Sequence, residues 1–183
     1  MRMESPDRSA LYELAASQEG YFTTRQAEAV GYSRPLLDHH LKSGRIRRAR
    51  RGVYRLVEFP SGEHEDLVIA WLWSDRAGVF SHETALAIHN LSDVLPAHLH
   101  LTLPASWSKR RLRVLEGVRV HFADVPEPER GWSGAVPVTS PSRTIRDCAA
   151  DHLPPDILAQ AVRDGIARGL FTPAEAIDFG VDR

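Results

Sequence analysis

The segment from Gly20 to Leu56 constrains the fold of this chain most strongly. Residues that cap helices alternate there with glycines that end them, which predicts two short helices over residues 25–30 and 34–43. The apolar strand 52–56 then predicts the second arm of a β-hairpin. Two short helices joined by a glycine-containing turn and followed by a hairpin predict a winged helix-turn-helix.

The second of these helices has two different faces. At 100° per residue its apolar side chains share one side, and Arg34, Asp38, His39 and Lys42 share the other. The second helix of a helix-turn-helix enters the major groove, so these four residues are predicted to face base edges. Arg34 is predicted to contact guanine with both arms of its guanidinium. Asp38 either accepts from a cytosine amino group or pairs with Lys42.

The hairpin is unusually basic. Between Lys42 and Arg55, seven of fourteen residues are Lys or Arg and none is acidic, which indicates a phosphate-bearing partner. The tip, residues 47–51, is predicted to follow the DNA backbone or a minor groove. The predicted DNA-binding residues are Thr24, Arg25, Ser33, Arg34, Asp38, His39, Lys42, Arg45, Arg47, Arg48, Arg50 and Arg51. A helical domain with a solvated basic loop is the alternative interpretation.

Charge divides the chain of 183 residues into a basic head and an acidic body. Residues 1–57 carry eleven Lys or Arg against six Asp or Glu, whereas residues 58–183 carry twelve against eighteen. Such asymmetry indicates a nucleic-acid-binding part joined to a part of different role. We predict an α+β protein with a winged-helix domain over 1–58. The second domain, 63–183, is predicted to contain a small, mostly antiparallel sheet and C-terminal helices.

Two strands of the second domain are indicated by alternating apolar residues, over 98–103 and 118–122. The basic run 109–113 lies between them, either as a solvated hairpin loop or as a further nucleic-acid contact. We favour the solvated loop, because no aromatic residue is interleaved with the run to stack on bases.

Histidines raise the question of chemistry in the second domain. His98, His100 and His121 are predicted to project from one face of the two strands, so a three-imidazole cluster is geometrically possible. We favour surface histidines, because no Asp or Glu stands nearby at ligand spacing. His82 and Glu83 could act in acid-base chemistry, but a carboxylate at a helix start more often stabilises the helix dipole.

Other signatures of catalysis or of a membrane location are missing from the sequence. It contains no glycine-rich phosphate loop, nucleophile elbow or HExxH motif. Its single cysteine, Cys148, excludes an internal disulfide and a cysteine-based zinc site. No apolar stretch approaches the roughly 20 residues that span a bilayer. We therefore expect a cytoplasmic protein that is not an enzyme, with no catalytic residue, metal, cofactor or membrane partner.

Ordered motifs across the chain resemble a known family. The segments that carry the resemblance are 20–27, 31–34, 44–46 and 51–56 in the first domain, and 81–86, 99–104, 117–121 and 136–144 in the second. They are similar to AbiEi-type antitoxins and related winged-helix transcriptional regulators, and the resemblance covers nearly the whole chain.

The resemblance implies a DNA-binding antitoxin of a type IV toxin-antitoxin system. The winged helix would repress the protein's own operon by binding inverted repeats in double-stranded promoter DNA. The groove-facing role falls on Ser33, Arg34, Asp38, His39 and Lys42, and the wing on residues 47–51. The second domain would counteract a nucleotidyltransferase-type toxin, without a need for direct contact.

Three other functions remain open at this point. One is a stand-alone winged-helix regulator, and another is a protein- or RNA-binding adaptor, in both cases without a toxin partner. A more distant one is a metal-dependent nuclease that uses the histidine face.

Overall fold

Two units make up the fold, one reaching to Arg76 and the other starting at Ala77. They are seen in a computed structural model that describes residues 6–62, 64–177 and 179. The predicted fold class is confirmed: an N-terminal winged helix precedes a mixed α/β unit.

The first unit alternates helices with the strands of one antiparallel sheet. Its elements are α1 (Arg8–Ala16), β1 (Tyr21–Thr23), α2 (Thr24–Ala29), α3 (Arg34–Lys42), β2 (Ile46–Arg50), β3 (Val53–Leu56) and α4 (Glu65–Trp73). The strand order is β1-β3-β2, with both pairings antiparallel. Helices α2 and α3 form the helix-turn-helix, and β2 with β3 forms the wing.

Local sequence features explain where the two helices of the helix-turn-helix begin. Thr23 and Gln26 form a capping box, because the Thr23 hydroxyl accepts from the Gln26 N–H at 3.2 Å and the Gln26 side chain accepts from the Thr23 N–H at 2.8 Å. Ser33 precedes α3, but its side chain makes no capping hydrogen bond. Pro35 in the first turn favours the helix there, since its φ is already helical.

The core of the first unit lies between the helices and the sheet. Leu37 of α3 is 1% exposed, and Phe22 stacks on Tyr54 with ring centroids 5.8 Å apart. Leu36 and Leu41 pack against the same core, so the apolar face predicted for α3 is the face that is buried.

Helix α4 extends the first unit beyond the predicted winged-helix domain. It packs on β1 and β3, and it is buried along most of its length at Leu67, Val68, Ala70, Trp71 and Leu72. The division of the fold therefore falls after α4, whereas the sequence prediction assigned this helix to the second domain, 63–183. Apolar residues around the whole helix do not indicate which neighbour covers it.

The second unit is a five-stranded sheet with helices. Its elements are β4 (Val79–Phe80), α5 (His82–His89), β5 (Leu99–Leu103), β6 (Val118–Phe122), β7 (Arg130–Ser133), β8 (Val136–Thr139), α6 (Pro141–Ala150), α7 (Pro155–Ala167) and α8 (Pro173–Ile177). The strand order is β6-β5-β4-β8-β7. Its helical core includes Leu86, Ile145, Cys148 and Leu158.

This sheet is mixed and not mostly antiparallel, which corrects the prediction. β4 pairs with β5, and β7 with β8, in antiparallel fashion, but β5–β6 and β4–β8 are parallel. Residues 104–117 connect β5 to β6, and a dozen or more residues are long enough for a parallel crossover. The basic run 109–113 consequently lies in a crossover and not at the tip of a hairpin.

No helix among the described residues is both long and apolar enough to cross a membrane.

Candidate DNA-binding surface

The outer face of α3 is exposed as predicted. Arg34, Asp38, His39 and Lys42 all have exposed side chains, while Leu37 on the opposite side is buried in the core. Ser33, just before the helix, is half-buried, and its hydroxyl is not used for capping. Two cations, one carboxylate and one imidazole are therefore available along one face of a two-turn helix.

Arg34 is held by a neighbouring helix in the absence of DNA. Its Nε donates to Glu28 Oε1 of α2 at 3.1 Å, and both side chains are largely in solvent. An exposed pair of this kind is worth about 0–1 kcal/mol, so a guanine edge can compete for the guanidinium. Asp38 and Lys42 form no ion pair with each other, and the role of Asp38 stays a prediction.

Arg45, just before the wing, and the four arginines of the wing tip, residues 47–51, have different local partners. Arg47 pairs with Glu65 at 3.6 Å, and the guanidinium of Arg48 lies 5.7 Å from the ring centre of Tyr54. Arg45, Arg50 and Arg51 are exposed, and none pairs with a carboxylate within the described part of the chain. Guanidinium groups left without a protein anion are suited to phosphate.

A backbone contact fixes the wing turn beside the start of α2. The turn lies at Arg51 and Gly52, between β2 and β3, and the Gly52 carbonyl accepts from the Thr24 N–H at 3.0 Å. The Thr24 hydroxyl lies 3.5 Å from the same carbonyl. Thr24 and the wing arginine Arg51 are thus brought together, although they are 27 positions apart. Arg25, next to Thr24, is exposed and pairs with Asp75 at 3.0 Å.

Arg55 does not belong to this surface. Its side chain is 4% exposed, it lies 3.6 Å from Glu65, and it donates to the Phe59 carbonyl at 2.8 Å. The guanidinium also lies 5.6 Å from the ring centre of Tyr21. One of the seven basic residues that indicated phosphate binding is therefore a structural residue of the first unit.

The sequence of the first unit matches a known family. Over residues 9–57 it matches the family described as "Transcriptional regulator, AbiEi antitoxin". This segment is similar to AbiEi antitoxins. The family is one of regulatory antitoxins and not of enzymes, and the matched residues of this AbiEi segment include every predicted DNA-binding residue.

A solved structure resembles the chain beyond the AbiEi segment. The crystal structure of the RV2827C protein from Mycobacterium tuberculosis superposes with a TM-score of 0.56 at 15% sequence identity, covering 94% of this chain and 70% of that one. At this identity the likeness concerns the fold alone. No curated protein matches the chain.

Outside the AbiEi segment, the second unit gathers three histidines that differ from the predicted set. Ring nitrogens of His82, His100 and His121 all lie within 4.8 Å of one another. His98 precedes β5 and is exposed, so the cluster considered possible from the sequence, His98, His100 and His121, differs from this one in one member. The favoured interpretation as surface histidines is wrong for His100, which is 2% exposed. His82 was considered only together with Glu83. Strand alternation relates residues of one sheet face but does not show which helix covers it.

The pKa values of these three histidines all lie below the usual value for histidine. Burial, followed by the neighbouring His100, lowers the pKa of His82 to about 4. Burial, followed by His82, lowers the pKa of His121 to about 4, and burial also lowers the pKa of His100. Neutral imidazole is the form that accepts hydrogen bonds and binds metals.

The second basic run, 109–113, is exposed at its four cationic residues. Arg110 stacks over Trp107, with its guanidinium 4.2 Å from the ring centre. An aromatic neighbour thus lies just outside the run, although none is interleaved within it. The choice between a solvated segment and a further nucleic-acid contact stays a prediction.

Proposed function

We propose that this protein is the DNA-binding antitoxin of a type IV toxin-antitoxin system and represses its own operon through the winged helix. The main support is the group of exposed arginines on the wing and α3 within an AbiEi-family segment. The partner is double-stranded DNA of its own promoter, with inverted repeats.

The proposed contacts divide into two classes. The groove-facing residues of α3 and its N-cap read base edges, as expected for the second helix of a helix-turn-helix: Ser33, Arg34, Asp38, His39 and Lys42. Phosphate contacts position the protein and come from the remaining residues: Thr24, Arg25, Arg45, Arg47, Arg48, Arg50 and Arg51.

Mobility shift with the protein's own upstream DNA tests this proposal. Wild-type protein should shift that fragment at lower concentration than a random fragment of equal length. The double variant Arg50→Ala/Arg51→Ala should bind both fragments more weakly, and the slope of log affinity against log salt should fall by about 2, since each lost phosphate contact removes about 0.9.

A matched variant tests whether weaker DNA binding comes from the loss of the wing arginines or from a general loss of positive charge. Arg110→Ala/Arg111→Ala removes the same charge from exposed positions in the second unit. It should retain wild-type affinity and salt slope. Equal loss in the two double variants would contradict the assignment of DNA binding to the wing, and failure of wild-type protein to prefer its own upstream DNA would contradict autoregulation.

The second unit is proposed to counteract a nucleotidyltransferase-type toxin, and the adjacent reading frame is the first place to look. If that frame encodes such a protein, co-expression with this chain should restore the growth that the toxin alone arrests. If wild-type protein represses its promoter but restores no growth, the chain is a stand-alone regulator.

A further inference from the structure

The second unit brings three imidazoles together from three separate elements. His82 is the first residue of α5, His100 lies in β5 and His121 lies in the edge strand β6. His82 and His100 are 8% and 2% exposed, and His121 is half-buried. The cluster therefore brings three largely buried imidazoles from three elements to one place.

Strand register explains why two of the rings meet. β5 and β6 run parallel, with Thr102 opposite His121 and His100 opposite Arg119. His100 is therefore two residues from the partner of His121 and lies on the same face of the sheet. The two rings approach to 3.1 Å, measured from His100 Nδ1 to His121 Nε2. Two nitrogens bound to one tetrahedral zinc ion are about 3.3 Å apart.

Both the backbone conformation and a contact of the ring orient the His82 side chain. Its φ of 51° is left-handed, which costs a residue with a side chain roughly 1–2 kcal/mol. Its Nδ1 lies 2.8 Å from Ser81 Oγ, which accepts from the Thr102 hydroxyl at 2.7 Å. Metal-binding histidines are commonly oriented by such a hydrogen bond on one nitrogen, which leaves the other for the ion.

The charges around the cluster are balanced. Asp151 acts on all three imidazoles in the direction that favours a nearby cation. Arg119 acts in the opposite direction, but it is paired with Asp151 at 3.5 Å.

We propose that His82, His100 and His121 bind one divalent first-row transition-metal ion, with zinc as the physiological class of ligand. Imidazole nitrogen suits zinc, copper, nickel and iron, and three protein ligands leave one coordination position for water. The ion would tie α5 to the edge strand β6. This site shares no residue with the DNA-binding surface and does not depend on the proposed function.

Binding requires a small rearrangement of the rings. His82 and His121 stack with centroids 3.6 Å apart and planes 14° from parallel. A metal lies in the plane of each imidazole that binds it, and two parallel planes share no such point. At least one ring must therefore turn about its Cβ–Cγ bond when the ion enters, which predicts a change in the imidazole NMR signals of His82 and His121.

Titration of the full, tag-free chain with Co²⁺ and then Zn²⁺ tests the site. After treatment with a chelator and its removal, one equivalent of Co²⁺ should produce the visible absorption of a four-coordinate nitrogen site, and Zn²⁺ should displace it. Metal analysis after dialysis should give one ion per chain. Zn²⁺ should also raise the melting temperature, since an ion that binds only the folded chain stabilises it.

Three variants decide the identity of the ligands. His121→Gln and His82→Gln should each weaken Co²⁺ binding more than about 100-fold, beyond the 10–100-fold typical of removing an outer-shell partner. His98→Gln changes an exposed histidine just before the same strand and should bind as wild type does. Circular dichroism should show all three variants folded.

Some results would overturn the site. Wild-type protein that takes up no stoichiometric Co²⁺ or Zn²⁺ would show that the three imidazoles only pack together. Uptake that persists unchanged in folded His82→Gln and His121→Gln, or that His98→Gln removes equally, would assign the metal to other residues.

Discussion

At the scale of single residues, Arg34 can act on DNA in two ways that a simple alanine substitution does not separate. It contributes positive charge near DNA, and its planar guanidinium can bridge two acceptors on one guanine edge. The charge acts on every sequence, whereas the bridge acts only where guanine is present. A substitution that keeps the charge and removes the planar fork can separate them.

We predict that Arg34→Lys retains affinity for random DNA but loses preference for the operator. The lost discrimination should be about 1–3 kcal/mol, the range for one bidentate base contact. Competition mobility shifts with operator and random fragments, repeated over a salt series, measure both quantities. The salt slope should match wild type, since lysine keeps the cation.

Arg34→Ala is the comparison variant for that measurement. It should lose operator preference to the same extent and also bind random DNA more weakly. An operator preference that Arg34→Lys leaves intact would show that Arg34 acts on DNA through charge alone, and the reading of bases would have to be assigned to other residues of α3.

The sequence pattern predicts whether a polar side chain is exposed only where apolar residues recur on one face of an element. The four residues of the outer face of α3 could be identified, because helical periodicity separates them from the buried Leu37. Arg55 could not be excluded from the basic cluster, because all four residues of β3 are buried and alternation therefore carries no signal there. His82 was missed as a neighbour of His100 for a related reason: the contact joins a helix to a strand 18 positions away.

At the scale of elements, the junction between α1 and β1 depends on Gly20. Its φ is +87°, and its carbonyl accepts from the Leu56 N–H at 2.9 Å, which ties the start of β1 to the end of β3. A Cβ placed there would lie 2.7 Å from the Cβ of Phe59. Both the backbone conformation and the neighbouring ring therefore exclude a side chain.

We predict that Gly20→Ala lowers the free energy of unfolding by about 2–4 kcal/mol. Left-handed strain accounts for about 1–2 kcal/mol and the clash with Phe59 for about 1–3 kcal/mol, partly offset by the stiffer unfolded chain. Urea unfolding followed by far-ultraviolet circular dichroism measures the change.

Gly44→Ala is the matched variant. Gly44 also has a positive φ, +70°, but no atom lies within 4 Å of the position its Cβ would take. Only strain applies there, so the loss should be near 1 kcal/mol. Equal losses at the two glycines would show that Phe59 moves aside at little cost.

The strands over 98–103 and 118–122 could be predicted from the sequence, but their relative direction could not. Both strands 98–103 and 118–122 were recognised from their alternation, yet their mutual direction was not, because alternation is identical in parallel and antiparallel strands. The connection of fourteen residues was compatible with a long hairpin loop as well as with a crossover. Phe122 of β6, an edge strand, is 42% exposed although the alternation predicted an apolar face there.

At the scale of the whole molecule, the family match and the excess of positive charge fall in the same part of the sequence. The AbiEi segment, 9–57, lies within the basic part of the chain, and the acidic part contains the mixed sheet and its helices. The proposed repression uses the first unit, and the proposed neutralisation uses the second. If each unit carries one role, single variants should remove one role and preserve the other.

In the second unit, Arg143 offers such a variant. Its side chain is 15% exposed and donates to Asp147 at 2.7 Å and to Glu129 at 2.5 Å. Replacing it with alanine leaves the largely buried Asp147 without its cation, a loss on the order of 3 kcal/mol. Arg146, which also pairs with Glu129 but is 46% exposed, provides a milder neighbouring control.

We predict opposite outcomes for two full-length variants. Arg50→Ala/Arg51→Ala should release a reporter driven by the protein's own promoter and still restore growth against the co-expressed toxin. Arg143→Ala should weaken the restoration of growth and preserve repression, and Arg146→Ala should resemble wild type in both assays. Protein levels measured by immunoblot exclude loss of the chain as the cause. If each variant fails in both assays while its level is normal, repression and neutralisation are one activity of the whole molecule, and the division of roles between the two units is wrong.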